Sequence, residues 1–144
     1  MFVDLHTHPV AHGESKFSRE NLERYIIAAI NHNCRELGFS DHDVYLPELD
    51  FGLVQELQRK YPQLKLLTGL EVDYRPESVA EIRKRFEPLD FDYLIGSVHE
   101  VSGWIFDDPD HLEGYQEWQG DDLYAAYFAT VAEAETKVEK LVCA

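Results

Sequence analysis

Cysteine occurs only twice in these 144 residues, basic side chains number 13 against 28 acids, and the chain carries a formal charge of -15. Cys34 and Cys143 lie far apart without CxxC spacing, which excludes a disulfide framework or a cysteine zinc knuckle; both are expected to be reduced. The shortage of bases repels polyphosphate backbones, and Arg83-Lys84-Arg85 is only a short cluster in an acidic chain, so no nucleic-acid partner is expected. No apolar run approaches the roughly 18 residues of a membrane span. The opening Met1-Phe2-Val3-Asp4-Leu5-His6 also lacks the basic flank and apolar stretch of a secretory signal, so no membrane partner is expected and the expected compartment is the cytoplasm. What the chain does have is 44% apolar and 12% aromatic residues, enough for a core and far from the composition of disorder. A single domain spanning 1–144 is the expectation, since no repeat, linker or low-complexity segment is visible.

Periodicity gives strands alternating with helices. Phe2, Val3 and Leu5 form a short apolar run of the type expected for a buried strand. Ser18 is placed to cap a helix whose Leu22, Tyr25, Ile26, Ala29 and Ile30 share one face, ending near Asn31-His32-Asn33. A strand follows at 36–40. Asp50 caps a second helix carrying Leu53, Val54 and Leu57, which Pro62 terminates. Residues 64–74 read as a third strand. Pro76 opens a helix with Val79, Ile82 and Phe86 on one stripe, and 91–98 is a fourth strand. Gly103, Pro109 and Gly114 mark 100–120 as an irregular excursion. A last helix starts near Asp121, with Leu123, Tyr127, Val131, Ala134, Val138 and Leu141 on one side. This order predicts βαβ units, a parallel sheet and the α/β class.

Parallel α/β folds gather ligands where strands end. Each of the four strands ends in metal-type donors: His6-Thr7-His8, Asp41-His42, Glu71-Val72-Asp73 and Val98-His99. His6 and His8, two apart on extended backbone, project to the same side and can grip one ion. Imidazoles with a carboxylate such as Glu71 and no thiolate suit Zn, Fe or Mn. One such histidine alone would read as a polar loop residue; four sites in register read as a metal cluster. His32, at a helix C-terminus, suits the dipole there. His12 is open between a ligand and a solvated loop residue, and His111 between a site residue and a solvated turn. Asp4, Asp41 and Asp73 are open between orienting histidines and capping turns. Gly69 and Gly96 permit close backbone approach, or are simple packing points.

Four strings, Asp4-Leu5-His6-Thr7-His8, Gly38-Phe39-Ser40-Asp41-His42, Thr68-Gly69-Leu70-Glu71-Val72-Asp73-Tyr74 and Ile95-Gly96-Ser97-Val98-His99, resemble in order and strand position the first four motifs of the polymerase-and-histidinol-phosphatase (PHP) superfamily. Within it, Gly-Leu-Glu-Val-Asp-Tyr, Gly-Ser-Val-His and the Asp-Pro-Asp-His of residues 108–111 most resemble histidinol-phosphate phosphatases. The resemblance implies a distorted (βα)7 barrel, of which this chain would supply the N-terminal part, about four βα units. It implies two or three divalent ions held by His6, His8, Glu71 and His99, with His42 and His12 toward an additional ion. It further implies hydrolysis of L-histidinol phosphate to L-histidinol and phosphate, as in histidine biosynthesis. The leaving alkoxide of such a reaction needs a proton, for which Asp41, His42 and a metal-bound water are the open candidates.

Two departures stand out. The loop after the first strand is shorter than the family's Cys-x-His-Gly version, and the family's later Gly-His and Ser-Asp-Ala-His motifs have no counterpart here. The alternatives are a catalytically incomplete metal-binding or assembly module, or another phosphoesterase of the superfamily. Half a barrel would expose sheet edges, so self-association is expected, the alternatives being a truncated chain or a last helix that folds back over the open edge.

Overall fold

The computed structural model describes residues 2–10, 13–86, 88–137 and 141–143, the last three by backbone alone. The chain falls into two compact units, one made of Met1–Glu71 with Phe91–Ile95 and the other of Val72–Asp90 with Gly96–Ala144.

The first unit follows the expected alternation. Strand β1 (Phe2–Asp4) precedes helix α1 (Arg19–Asn31), strand β2 (Cys34–Phe39), helix α2 (Phe51–Lys60), strand β3 (Lys65–Asp73) and the start of strand β4 (Tyr93–Ser97). The strands lie in the sheet in that order, β1-β2-β3-β4. Pairing is parallel, with Asp4 opposite Leu37 and Glu36 to Phe39 opposite Lys65 to Thr68. Both helices start where a side chain can satisfy an orphan N–H: Ser18 accepts from Asn21 at 3.4 Å and Asp50 from Leu53 at 3.0 Å. The chain leaves α1 through Asn33 at φ 58°, a left-handed conformation that asparagine tolerates. Leu22, Ile26 and Ala29 of α1 and Val54 and Leu57 of α2 pack into one core with Leu37, Phe39, Leu64 and Leu66. Leu22, Ile26, Leu57 and Leu64 are fully buried, each contributing about 1.5–3 kcal/mol.

In the second unit a 3-10 turn, Pro76–Ser78, leads into helix α3 (Val79–Phe86), which buries Ile82 and Phe86. Strands β5 (Glu100–Val101) and β6 (Trp104–Ile105) form an antiparallel hairpin. Its two-residue turn, Ser102 at φ 55° and Gly103 at φ 82°, has the doubly positive geometry that matches strand twist. A kinked 3-10 segment, Pro109–Glu117, then leads to helix α4 (Gly120–Lys137). On α4 the Leu123, Tyr127, Val131 and Ala134 stripe is the shielded side, whereas Tyr124 and Phe128 stand exposed.

Three expectations need correction. β1 is not buried: Phe2 and Val3 are 47% and 48% exposed, because among the described residues this strand pairs on one side only. The excursion is not wholly irregular, since it contains the hairpin, whose strands of two residues are too short to show alternation. The last helix stops by Lys137, and Leu141–Cys143 is a further short strand, β7. Three apolar residues in a row fit either a helix or a strand, so periodicity could not separate them. Val138 lies outside the described residues. Cys34 is a buried free thiol.

Candidate metal centre

Within the first unit the ends of three strands converge. β1 ends at Asp4 and the chain runs on as His6-Thr7-His8. β2 delivers Asp41 and His42, and β3 delivers Glu71, flanked by the buried Leu70 and Val72. The backbone ties these ends together: Ser40 N–H donates to the Thr7 carbonyl at 2.9 Å and Glu71 N–H to the Asp41 carbonyl at 3.1 Å. The result is a cluster on one carboxylate oxygen. Glu71 Oε2 lies 2.9 Å from His6 Nε2, 2.9 Å from His8 Nε2 and 3.6 Å from His42 Nδ1. The His6 and His8 ring centroids are 4.9 Å apart, and those of His8 and His42 4.7 Å.

The donor chemistry fits a divalent cation. A carboxylate oxygen offers two lone pairs, fewer than the three ring nitrogens crowded on Glu71 Oε2. The Glu71 side chain is only 3% exposed, so water does little to relieve its charge. His6, His8 and Glu71 each offer an atom within 4.8 Å of the others. Metal bonds of about 2.0–2.2 Å place neighbouring ligand atoms about 3.0–3.5 Å apart, close to the 2.9 Å from each of the His6 and His8 nitrogens to Glu71 Oε2.

Asp41 is 1% exposed, and its Oδ1 accepts the Val10 N–H at 2.8 Å, which fixes the loop after His8. Hydroxyl groups hold the rest of the histidine segment. Thr7 Oγ1 donates to the Gly38 carbonyl at 2.6 Å, Ser40 Oγ to the Leu5 carbonyl at 3.1 Å, Tyr25 to the His8 carbonyl at 3.1 Å and Tyr93 to the Leu5 carbonyl at 2.5 Å. Burial pushes the Tyr93 phenol well above its ordinary value, although the Ser40 hydroxyl works against that shift.

His99 stands in the second unit. Its Nδ1 contacts the Asp107 carboxylate and its Nε2 lies 3.8 Å from Asp73 Oδ1. Asp73 is steadied in turn by Ser97 Oγ at 3.4 Å. His111 pairs with Asp108 at 2.8 Å on the surface, the solvated-turn alternative. The Asp110 N–H and then His111 hold the Asp108 carboxyl below its ordinary value, and Asp108 lifts His111 above its own. His32 occupies the C-cap of α1, its N–H bonded to the Ala28 carbonyl. His12 lies outside the described residues.

The pairing of His99 with Asp107, eight residues on, gives no signal in the sequence, and neither do the hydroxyls of Tyr25 and Tyr93. Thr7 and Ser40 sit inside the motif strings, where their roles could have been asked. Gly69, open between a close backbone approach and a packing point, is the point where the Tyr93 ring packs on bare backbone.

Comparison with known proteins places the chain in a family. The PHP domain family matches residues 4–140. A protein named "Probable histidinol-phosphatase" from Deinococcus radiodurans is 36% identical over 87 residues, which are 60% of this chain and 33% of the relative. The "Histidinol-phosphatase" of Lactococcus lactis is 31% identical over an alignment 103 residues long, which covers 62% of this chain and 38% of the relative. This chain thus spans about a third of the length of the curated relatives it matches. A crystal structure of the Lactococcus lactis histidinol phosphate phosphatase, complexed with zinc, L-histidinol and phosphate, is similar with a TM-score of 0.60 at 26% identity. That likeness covers 74% of this chain and 43% of the other. The motifs, the α/β order and the match over nearly the whole length agree: this chain belongs to the PHP domain family.

Proposed function

We propose that this chain carries the metal-binding part of a PHP-type phosphomonoesterase acting on L-histidinol phosphate. The observation that carries the reading is the convergence of three imidazole nitrogens on Glu71 Oε2. The relatives' names and the histidinol and phosphate in the similar crystal structure support this choice of substrate.

A phosphate monoester is an anion, and a chain of charge -15 repels it unless local positive charge intervenes. Divalent ions bound at this centre, zinc, iron or manganese, would supply that charge and lower the pKa of water toward about 7. His6, His8 and Glu71 would hold one ion, with His42 beside them. His99, steadied by Asp107, is the proposed donor toward a second, and His12 keeps its proposed role as a further ligand. In the reaction a water oxygen bonds to phosphorus, the ester P–O bond breaks and the leaving alkoxide takes a proton. Of the two residues expected to handle that proton, Asp41 is buried with one oxygen committed to Val10. The half-buried ring of His42 is the donor in this reading, and Asp41 holds the loop in place.

Phosphate release from L-histidinol phosphate under zinc, manganese or iron(II) tests the proposal. His6→Ala or Glu71→Ala is expected to abolish turnover, and His42→Ala to lower it by roughly 10²–10⁴-fold. Bound metal with no phosphate released under any of these ions would favour the metal-binding module instead. Self-association is proposed through β1, whose two apolar side chains are half exposed; a monomer in light scattering at micromolar concentration refutes it.

A further inference from the structure

The backbone carrying His6 and His8 lies beyond the last residue of β1, where the Ser40 N–H to Thr7 carbonyl bond ties it to the end of β2. The Leu5–His6 peptide is held by side chains, and one of them comes from far away. Tyr93, on β4, donates its hydroxyl to the Leu5 carbonyl at 2.5 Å, across 88 positions of sequence. To do so the phenol must pass over β3 and β2. At both crossings the residue is glycine. A methyl group on Gly69 would stand 2.2 Å from Tyr93 Cζ, and one on Gly38 would stand 1.9 Å from Tyr93 Oη. Two strands therefore lack side chains where this ring lies, and the ring ends on the peptide group that precedes His6.

We propose that Tyr93 is a positioning residue for the metal centre, holding the Leu5–His6 peptide so that His6 Nε2 points at Glu71. The proposal rests on the metal reading given above. Rotating that peptide would swing the His6 imidazole, and metal sites tolerate only about 0.5 Å and 10–20° of misplacement. A purely packing role would need the ring but not the hydroxyl. The hydroxyl's partner is a backbone carbonyl next to a donor residue, which is where an outer support for a ligand acts.

The test is titration of the full chain with cobalt(II), followed by visible absorption, alongside thermal melts of the metal-free proteins. Tyr93→Phe keeps the ring over both glycines and removes the hydroxyl. Thr68→Val is the control, because it removes a hydroxyl of the same sheet that bonds Asp92 at 2.9 Å and touches no part of the histidine segment. Tyr93→Phe is expected to weaken cobalt binding by about tenfold or more and to alter the band shape, whereas Thr68→Val binds as the unaltered chain does. Should Tyr93→Phe lose its cooperative melt, Gly38→Ala, whose Cβ would stand 1.9 Å from Tyr93 Oη, displaces the same hydroxyl with the ring kept and is read in the same way. Cobalt affinity and spectrum in Tyr93→Phe equal to those of Thr68→Val would overturn the positioning role. If the unaltered chain shows no saturable cobalt spectrum that Glu71→Ala abolishes, the metal reading itself fails, and the proposal falls with it.

Discussion

Adding one methyl group at Gly69 should be costly only while Tyr93 is present. The new Cβ would lie 2.2 Å from Cζ, 2.5 Å from Cε2 and 2.6 Å from Oη of that ring, all far inside van der Waals contact. The phenol is tethered at Leu5, so it cannot give way without releasing its hydrogen bond. Overpacking costs about 1–3 kcal/mol. A lost hydrogen bond adds about 1 kcal/mol. Replacing glycine within a strand returns roughly 0.5–1 kcal/mol of backbone entropy. The net expectation for Gly69→Ala is a loss of about 2–3 kcal/mol. In a Tyr93→Val background the three nearest atoms are gone, so the same change should be neutral or stabilise by up to about 1 kcal/mol. Urea unfolding followed by circular dichroism, with m unchanged across the four proteins, gives the coupling as about 2–4 kcal/mol. Costs that add to within about 0.5 kcal/mol would refute the placement of the ring over Gly69.

Other expectations follow from single contacts. Asp50→Ala removes the cap of α2 and should cost about 1 kcal/mol in urea unfolding, with Asp50→Asn retaining most of it. Leu57→Ala opens the core between α1, α2 and the sheet and should cost about 2–5 kcal/mol. His111, raised by Asp108, contributes stability that is present below its unfolded value and lost as pH rises through its folded one. Asp108, lowered, contributes stability that is present above its unfolded value and lost as pH falls through its folded one. In NMR titrations the His111 midpoint should lie above that of a solvated histidine and return to it in Asp108→Asn; an unmoved midpoint would refute the pairing.

The α/β order was legible because apolar periodicity and capping residues agree. Ser18, Asp50 and Pro76 mark helix starts that the structure places within a residue or two. Exposure of β1 was not legible, since a run such as Phe-Val-Asp-Leu reads the same in the middle of a sheet and at its edge. The donors at strand ends were visible as residue types at matching positions. What spacing could not carry was the contact of Tyr93 with Leu5 or of Asp107 with His99, because both depend on where separate elements meet. Gly69 hinted at the first by lacking a side chain, but a glycine shows that something approaches without naming it.

His6, His8 and Glu71 are proposed to share a cation. The most direct test is an anomalous difference map from zinc-loaded crystals, recorded on both sides of the zinc edge. A peak at about 2.0–2.2 Å from His6 Nε2, His8 Nε2 and Glu71 Oε2 is expected. Zinc bound only elsewhere, or those three side chains meeting with no peak between them, would contradict it.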